Sequence, residues 1–145
     1  MAEFSTAIDI AATPQQVFSY LITERGLVTW MGQHARLDPR PGGVFEVDIA
    51  GFPVRGRYLE LDPPHRVVVS WGFAGSDQLP PGASRVIFEL TAIDAGTRVA
   101  VRHTGLPEDH RADHADGWAH FTDRLARAAA GSDPGPDDWA PLGPR

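Results

Sequence analysis

From Val44 to His103 the sequence reads almost without a break as strand, and from about Pro107 to Gly131 as one long helix. That order restricts the chain more than any other feature it has. "VFEVDI" sets Phe45, Val47 and Ile49 on one face and Val44, Glu46 and Asp48 on the other, the period of a half-buried strand. "FPVRGRYLELDPPHRVVVSWGF" holds two further strands separated by Asp62-Pro63-Pro64-His65, where proline blocks continuation. "SRVIFELTAIDAGTRVAVRH" reads as a hairpin turning at Asp94-Ala95-Gly96. Val86, Phe88 and Leu90 share one face of its first strand, and Val99, Val101 and His103 one face of its second. The helix buries a stripe of His110, His114, Gly117, Trp118, Phe121, Leu125 and Ala128 and exposes Asp113, Asp116, Asp123 and Arg127. Consecutive strands followed by one amphipathic helix predict an antiparallel sheet covered on one face by helices.

Upstream, "EFSTAIDI" alternates from Phe4 to Ile10 as a strand. Thr13, Pro14 and Gln16 then make a capping box with proline at the first helical position, predicting a short helix from Pro14 to Ile22. A second short helix is expected from Glu24 to Met31, stopped by Gly32. Neither is long enough to be stable alone, so both must pack on the sheet. One domain is expected over residues 1–131, followed by a loosely ordered Pro/Gly/Asp-rich tail, 132–145, whose Trp139 and Leu142 are its candidates for docking.

At 145 residues the chain has room for one real core, with about 70% of the surface of the unfolded chain buried on folding. Net charge is −6, and all 13 basic residues are arginine. An acidic balance argues against a nucleic-acid partner, which needs clustered positive charge. No cysteine is present, which excludes disulfides, thiolate metal sites and a cysteine nucleophile. No apolar run is long enough to insert in a membrane and the N-terminus carries no leader pattern, so a cytoplasmic location is expected. Abundant Ala, Gly, Pro and Asp without lysine is the composition of a GC-rich, bacterial source.

The segments "LDPRPGGVFEV", "GRYLELDPPHRVVVSW", "VIFELTAIDAGTRVAVRHTGL" and "HADGWAHFTDRL", in this order, resemble the successive motifs of bacterial START-like (SRPBCC) proteins grouped with the activator of the heat-shock-protein ATPase. The resemblance runs from about residue 4 to residue 130. It implies an α+β helix-grip fold: a curved antiparallel sheet of six or seven strands wrapped around a long C-terminal helix, with two short helices after the first strand. A space between sheet and helix is expected from such a wrap. On this reading Gly117 lets the helix backbone approach the sheet, and Trp118 fills or lines the space beside it.

The inward residues are therefore the candidate ligand contacts: Trp30, Met31, Phe45, Trp71, Phe73, Phe88, Val101, His103, His114, Trp118 and Phe121. Each ring has an ordinary reading as packed core, whereas several tryptophans converging with a few polar groups suit a pocket for an apolar or aromatic molecule. His103 is either a hydrogen-bonded core histidine or the polar group that orients a ligand, and with Tyr58 it is a candidate catalytic residue. His110 and His114 have metal-compatible spacing, but "HRADH" lacks the glutamate of the zinc-protease motif. They read as solvated histidines, and no metal or other cofactor is expected.

Glu60 with Asp62 and Asp113 with Asp116 read as solvated carboxylates, Gly42 and Gly43 as turn residues, and Arg55 and Arg57 as exposed cations unless one turns inward toward an acidic ligand. No serine sits in a nucleophile elbow. The leading expectation is a binding protein for a hydrophobic small molecule. A cyclase or hydrolase acting on a polyketide-like or aromatic substrate is the alternative, and a chaperone-associated interaction module a second. The sequence leaves catalysis open and allows a monomer or a homodimer.

Overall fold

In a computed structural model, which describes residues 2–137 and Trp139, the chain forms a seven-stranded, wholly antiparallel sheet and three α-helices. The elements run β1 (Ala2–Ile10), α1 (Pro14–Ile22), α2 (Glu24–Trp30), β2 (His34–Leu37), β3 (Val44–Ile49), β4 (Phe52–Asp62), β5 (Arg66–Trp71), β6 (Ser84–Ile93), β7 (Gly96–Leu106), a 3₁₀ turn (Glu108–His110) and α3 (Arg111–Ala129). Strand order across the sheet is β1-β7-β6-β5-β4-β3-β2. From β2 to β7 each strand pairs with the next, so β1 and β2 stand at opposite edges and α1 and α2 carry the chain between them.

Local chemistry sets the ends of these elements. The capping box is formed: Thr13 Oγ1 accepts from the Gln16 amide at 3.2 Å, and Gln16 Oε1 from the Thr13 amide at 2.9 Å. Thr23 ends α1 and caps α2, its hydroxyl accepting from the Gly26 amide. Gly32 follows α2 with φ +76°, a left-handed conformation that glycine adopts without penalty. Ala50 and Gly51 both have positive φ, as a type I′ hairpin turn requires, and they close β3 on β4 with Ile49 opposite Phe52. Between Tyr58 and Glu60 the pairing of β4 with β5 shifts register, a bulge that bends the sheet and turns Leu59 out to solvent. The edge strand β2 lies between two turn-rich segments and is absent from the sequence reading, because four residues carry too little alternation to register.

The inner face of the sheet and the inner faces of the helices make one core. Side-chain hydrogen bonds tie the elements around it together. Trp30 Nε1 donates to the Tyr20 carbonyl at 2.9 Å, joining α2 to α1. The Tyr20 hydroxyl donates to Ala128 O at 3.1 Å, joining α1 to α3, and Arg111 Nε donates to Glu3 O at 2.9 Å, joining α3 to β1. The bonds of Trp30 and Tyr20 contribute about 1 kcal/mol net each, and the exposed Arg111 bond contributes less. Among the described residues no helix is long and apolar enough to cross a membrane.

Candidate ligand-binding cleft

Between the open end of the sheet and α3 lies a cleft of about 60 Å³, partly open to solvent. Ile49 and Phe52 reach it from either side of the β3–β4 turn, and Trp71 and Phe73 from the end of β5 and the residues after it. Asp113, His114, Gly117, Trp118 and Phe121 reach it from successive turns of α3, and Trp139 from the C-terminal segment. The helical period dictates which α3 residues meet there, since positions three and four apart share a face. Trp71 is the hub of the rings. Its centroid lies 5.4 Å from that of Trp118, 6.3 Å from Phe45, 6.4 Å from Phe73 and 6.4 Å from His114, separations at which aromatic pairs attract.

The sequence candidates divide sharply. Trp71, Phe73, His114, Trp118 and Phe121 line the cleft. Trp30, Met31, Phe45, Phe88, Val101 and His103 do not; they are buried in the core, with Trp30 edge-on to Phe88 at 6.5 Å and Phe45 edge-on to Tyr58 at 5.6 Å. All share the inward face of their elements, but the cleft opens only toward those at the end of the sheet, where the β3–β4 turn and the end of β5 face α3.

Gly117 needs correcting in the same way. A Cβ placed on it would meet Trp139 Cη2 at 3.4 Å and Phe121 Cε2 at 4.0 Å and no atom of the sheet. The missing side chain therefore widens the cleft under Trp139; it is not a seat for the sheet. His110 and His114 are buried, as the helical stripe predicts and against their reading as solvated histidines: His114 Nδ1 donates to the His110 carbonyl at 2.9 Å, and His110 Nε2 donates to Gln78 Oε1 at 2.8 Å. Arg55 pairs with Asp48 at 3.0 Å, and Arg57 donates to Gly42 O, so neither lines the cleft.

A buried chain of hydrogen bonds fixes the Trp118 indole and the state of His103 and ends on the backbone carbonyl of Trp71, whose own indole Nε1 is buried without a hydrogen-bond partner. An indole N–H can only donate, so the 3.1 Å bond from Trp118 Nε1 to His103 Nδ1 requires that nitrogen to be bare. The proton then sits on Nε2, which donates to Ser84 Oγ at 2.8 Å, and the Ser84 hydroxyl donates to the Trp71 carbonyl at 2.7 Å. Burial holds the His103 pKa well below the ordinary histidine range, with the neighbouring His114 adding to the effect. A serine and a histidine at this distance suggest a nucleophile and its base, but the protons run the opposite way. In the serine-protease arrangement an acid accepts from Nδ1 and leaves Nε2 free to take the serine proton, whereas here a donor occupies Nδ1.

Tyr58, the other catalytic candidate, is fully buried and donates to Leu21 O at 2.9 Å. Burial, with a smaller contribution from Glu24, raises its pKa far above the usual tyrosine value. It too lies outside the cleft lining.

Sequence reasoning missed Ile49, Phe52 and Asp113 as cleft residues. The Ala-Gly turn was the available signal for the first two. Trp139 was singled out for docking, and the segment that carries it is tied down. Arg124, largely buried on α3, donates to Gly135 O at 2.7 Å, Thr29 O at 3.2 Å and Pro134 O at 3.3 Å. Both oxygens of Asp137 lie 3.0 Å from His120 Nε2, and one lies 3.6 Å from Arg124 Nε. Trp139 stacks on His120 at 5.1 Å and 16° and meets Phe121 edge-on at 5.2 Å. Composition suggests a loose tail from residue 132; Pro134, Gly135, Asp137 and Trp139 make the contacts just described, and Leu142 lies outside the described residues.

A curved seven-stranded sheet gripping a C-terminal helix, with an apolar cleft at one end, defines a helix-grip protein. Residues 11–130 match the family model described as "Activator of Hsp90 ATPase homolog 1-like protein", and the chain belongs to that family. An AHSA1-like protein from Rhizobium etli is 36% identical with a TM-score of 0.75, the match covering 99% of this chain and 90% of that one. The Aha1 dimer from Colwellia psychrerythraea is 23% identical with a TM-score of 0.78, covering 90% of this chain and 98% of that one. DynU16, described as a putative protein in the dynemicin biosynthetic locus, is 23% identical with a TM-score of 0.81 over 95% of this chain, which spans 51% of that protein. Comparison with curated proteins returns no match.

Proposed function

We propose that this protein binds an apolar or aromatic small molecule in the cleft between the sheet and α3, as a cytoplasmic monomer or homodimer. The observation that carries the reading is the cleft wall itself: Phe52, Trp71, Phe73, Trp118, Phe121 and Trp139 around a helix position with no side chain. Ligand sites are mostly apolar with few polar groups, and Asp113 and His114 are the ionisable residues in this lining. Binding is favoured over turnover because His103 and Tyr58 lie outside the lining and spend their polar atoms on buried partners.

Native mass spectrometry of the purified protein, set beside its denatured mass, tests the reading. A small-molecule adduct lost on denaturation is expected; its absence, together with failure of every aromatic compound in a tryptophan-fluorescence screen, would refute it. The family's description also suggests a chaperone-associated role. A pulldown with purified Hsp90-type chaperone tests that role, and no retention would remove it.

A further inference from the structure

The cleft is smaller than the ligand it suits. A dry cavity of about 150 Å³ takes a benzene ring, and the space here, open on one side, is about 60 Å³. The sheet and α3 cannot separate without breaking the core, but one wall belongs to neither. Trp139 is partly exposed, lies beyond the end of α3, and reaches the cleft at the end of a short strap held by side-chain contacts. That strap hangs on Asp137, whose carboxylate His120 and Arg124 grasp and whose Oδ1 also accepts from the Trp139 amide at 3.1 Å.

We propose that the cleft takes a planar two-ring aromatic molecule in place of the Trp139 indole, so that the chain carries its own tethered competitor for the site. This rests on the binding function proposed above and adds both the ligand class and its regulation. The indole already seated there shows what the surface accepts: a flat bicyclic ring stacked on His120, edge-on to Phe121, and resting where Gly117 lacks a Cβ. A ligand of the same shape inherits those contacts. The tether lowers apparent affinity by the fraction of molecules in which the strap is open, since binding is possible only in that fraction.

Titration with N-phenyl-1-naphthylamine, a neutral naphthalene probe that brightens in apolar surroundings, tests this on the full chain. Trp139→Ala, which removes the competitor, and Asp137→Ala, which loosens the strap but keeps the ring, are compared with the unaltered protein after circular dichroism confirms that all three are folded. Both variants are expected to bind the probe more tightly, about tenfold for Trp139→Ala if the strap is closed nine-tenths of the time. The Trp139 indole N–H resonance of the unaltered protein should move toward its solvent-exposed position as probe is added. Equal affinity in all three proteins would overturn the competitor while leaving the binding function intact. Tighter binding by Trp139→Ala alone would also overturn it, because the ring would then merely fill space. No binding by any of the three would overturn the two-ring ligand class, and the binding function with it only if the mass spectrum and the aromatic screen above are also empty.

Discussion

Replacing Gly117 with alanine separates two accounts of why α3 tolerates a glycine in its second turn. Glycine costs a helix interior about 0.8–1.0 kcal/mol relative to alanine. If Gly117 let the helix press against the sheet, an added methyl would collide and the protein would lose stability. The geometry gives the opposite sign, because the nearest atoms are Trp139 Cη2 at 3.4 Å and Phe121 Cε2 at 4.0 Å, both ordinary contact distances. Gly117→Ala should therefore recover most of the helix term and stabilise the protein by about 0.5–1 kcal/mol. For a domain near this size that raises Tm by about 1–4 °C. The same methyl only touches the Trp139 indole, so a naphthalene probe that takes the place of that indole should keep its affinity within about threefold. Calorimetry or urea unfolding gives the first quantity and probe titration the second. A loss of stability of about 1 kcal/mol or more would refute the reasoning and return Gly117 to helix packing.

His103 should remain neutral with its proton on Nε2, visible in long-range nitrogen-15 spectra as one protonated and one bare ring nitrogen through the pH range where free histidine titrates. Its folded pKa lies below its unfolded value, so the unfolded chain takes up the proton first. Stability from this site is thus complete above the ordinary histidine pKa and declines as pH falls below it, by at most about 1.4 kcal/mol per pH unit, which urea unfolding at a series of pH values would measure. Ser84→Ala strands the His103 Nε2–H and the Trp71 carbonyl together and should cost about 2–4 kcal/mol; a loss under 1 kcal/mol in urea unfolding would show the chain to be unimportant. Tyr58→Phe should cost about 1–2 kcal/mol by leaving the Leu21 carbonyl unpaired, with probe affinity unchanged, and a large drop in affinity would return Tyr58 to the site.

What the sequence made legible is what depends on short-range periodicity. The alternation of Phe45, Val47 and Ile49, the Thr13 to Gln16 box, and the stripe from His114 to Leu125 carry their structure within a few residues, and all appear where the pattern put them. The order of strands and final helix then left few arrangements. The cleft was half legible for the opposite reason. Inwardness is a local property, but whether an inward ring meets other core residues or open space depends on where the sheet stops, so Trp30 and Phe88 looked no different from Trp71 and Trp118. Ile49 and Phe52 needed the knowledge that a hairpin tip overhangs a helix some sixty residues away in sequence. Trp139 sits among Pro, Gly and Asp, and its fixation depends on Arg124 and His120 spending their polar groups on one carboxylate. Nothing in the tail's composition announces that.

The chain of protons from Trp118 to Trp71 ends at groups that cannot exchange roles, an indole that only gives and a carbonyl that only takes. Everything between them is therefore polarised in one sense, like a row of compass needles set by its end members. A carboxylate reaching Nδ1 from position 118 would reverse the histidine, leaving Nε2 bare and turned toward the serine. The difference between a hydrogen-bonded brace and the beginnings of a hydrolytic pair in this fold thus lies in a single side chain of the helix, one that also lines the cleft.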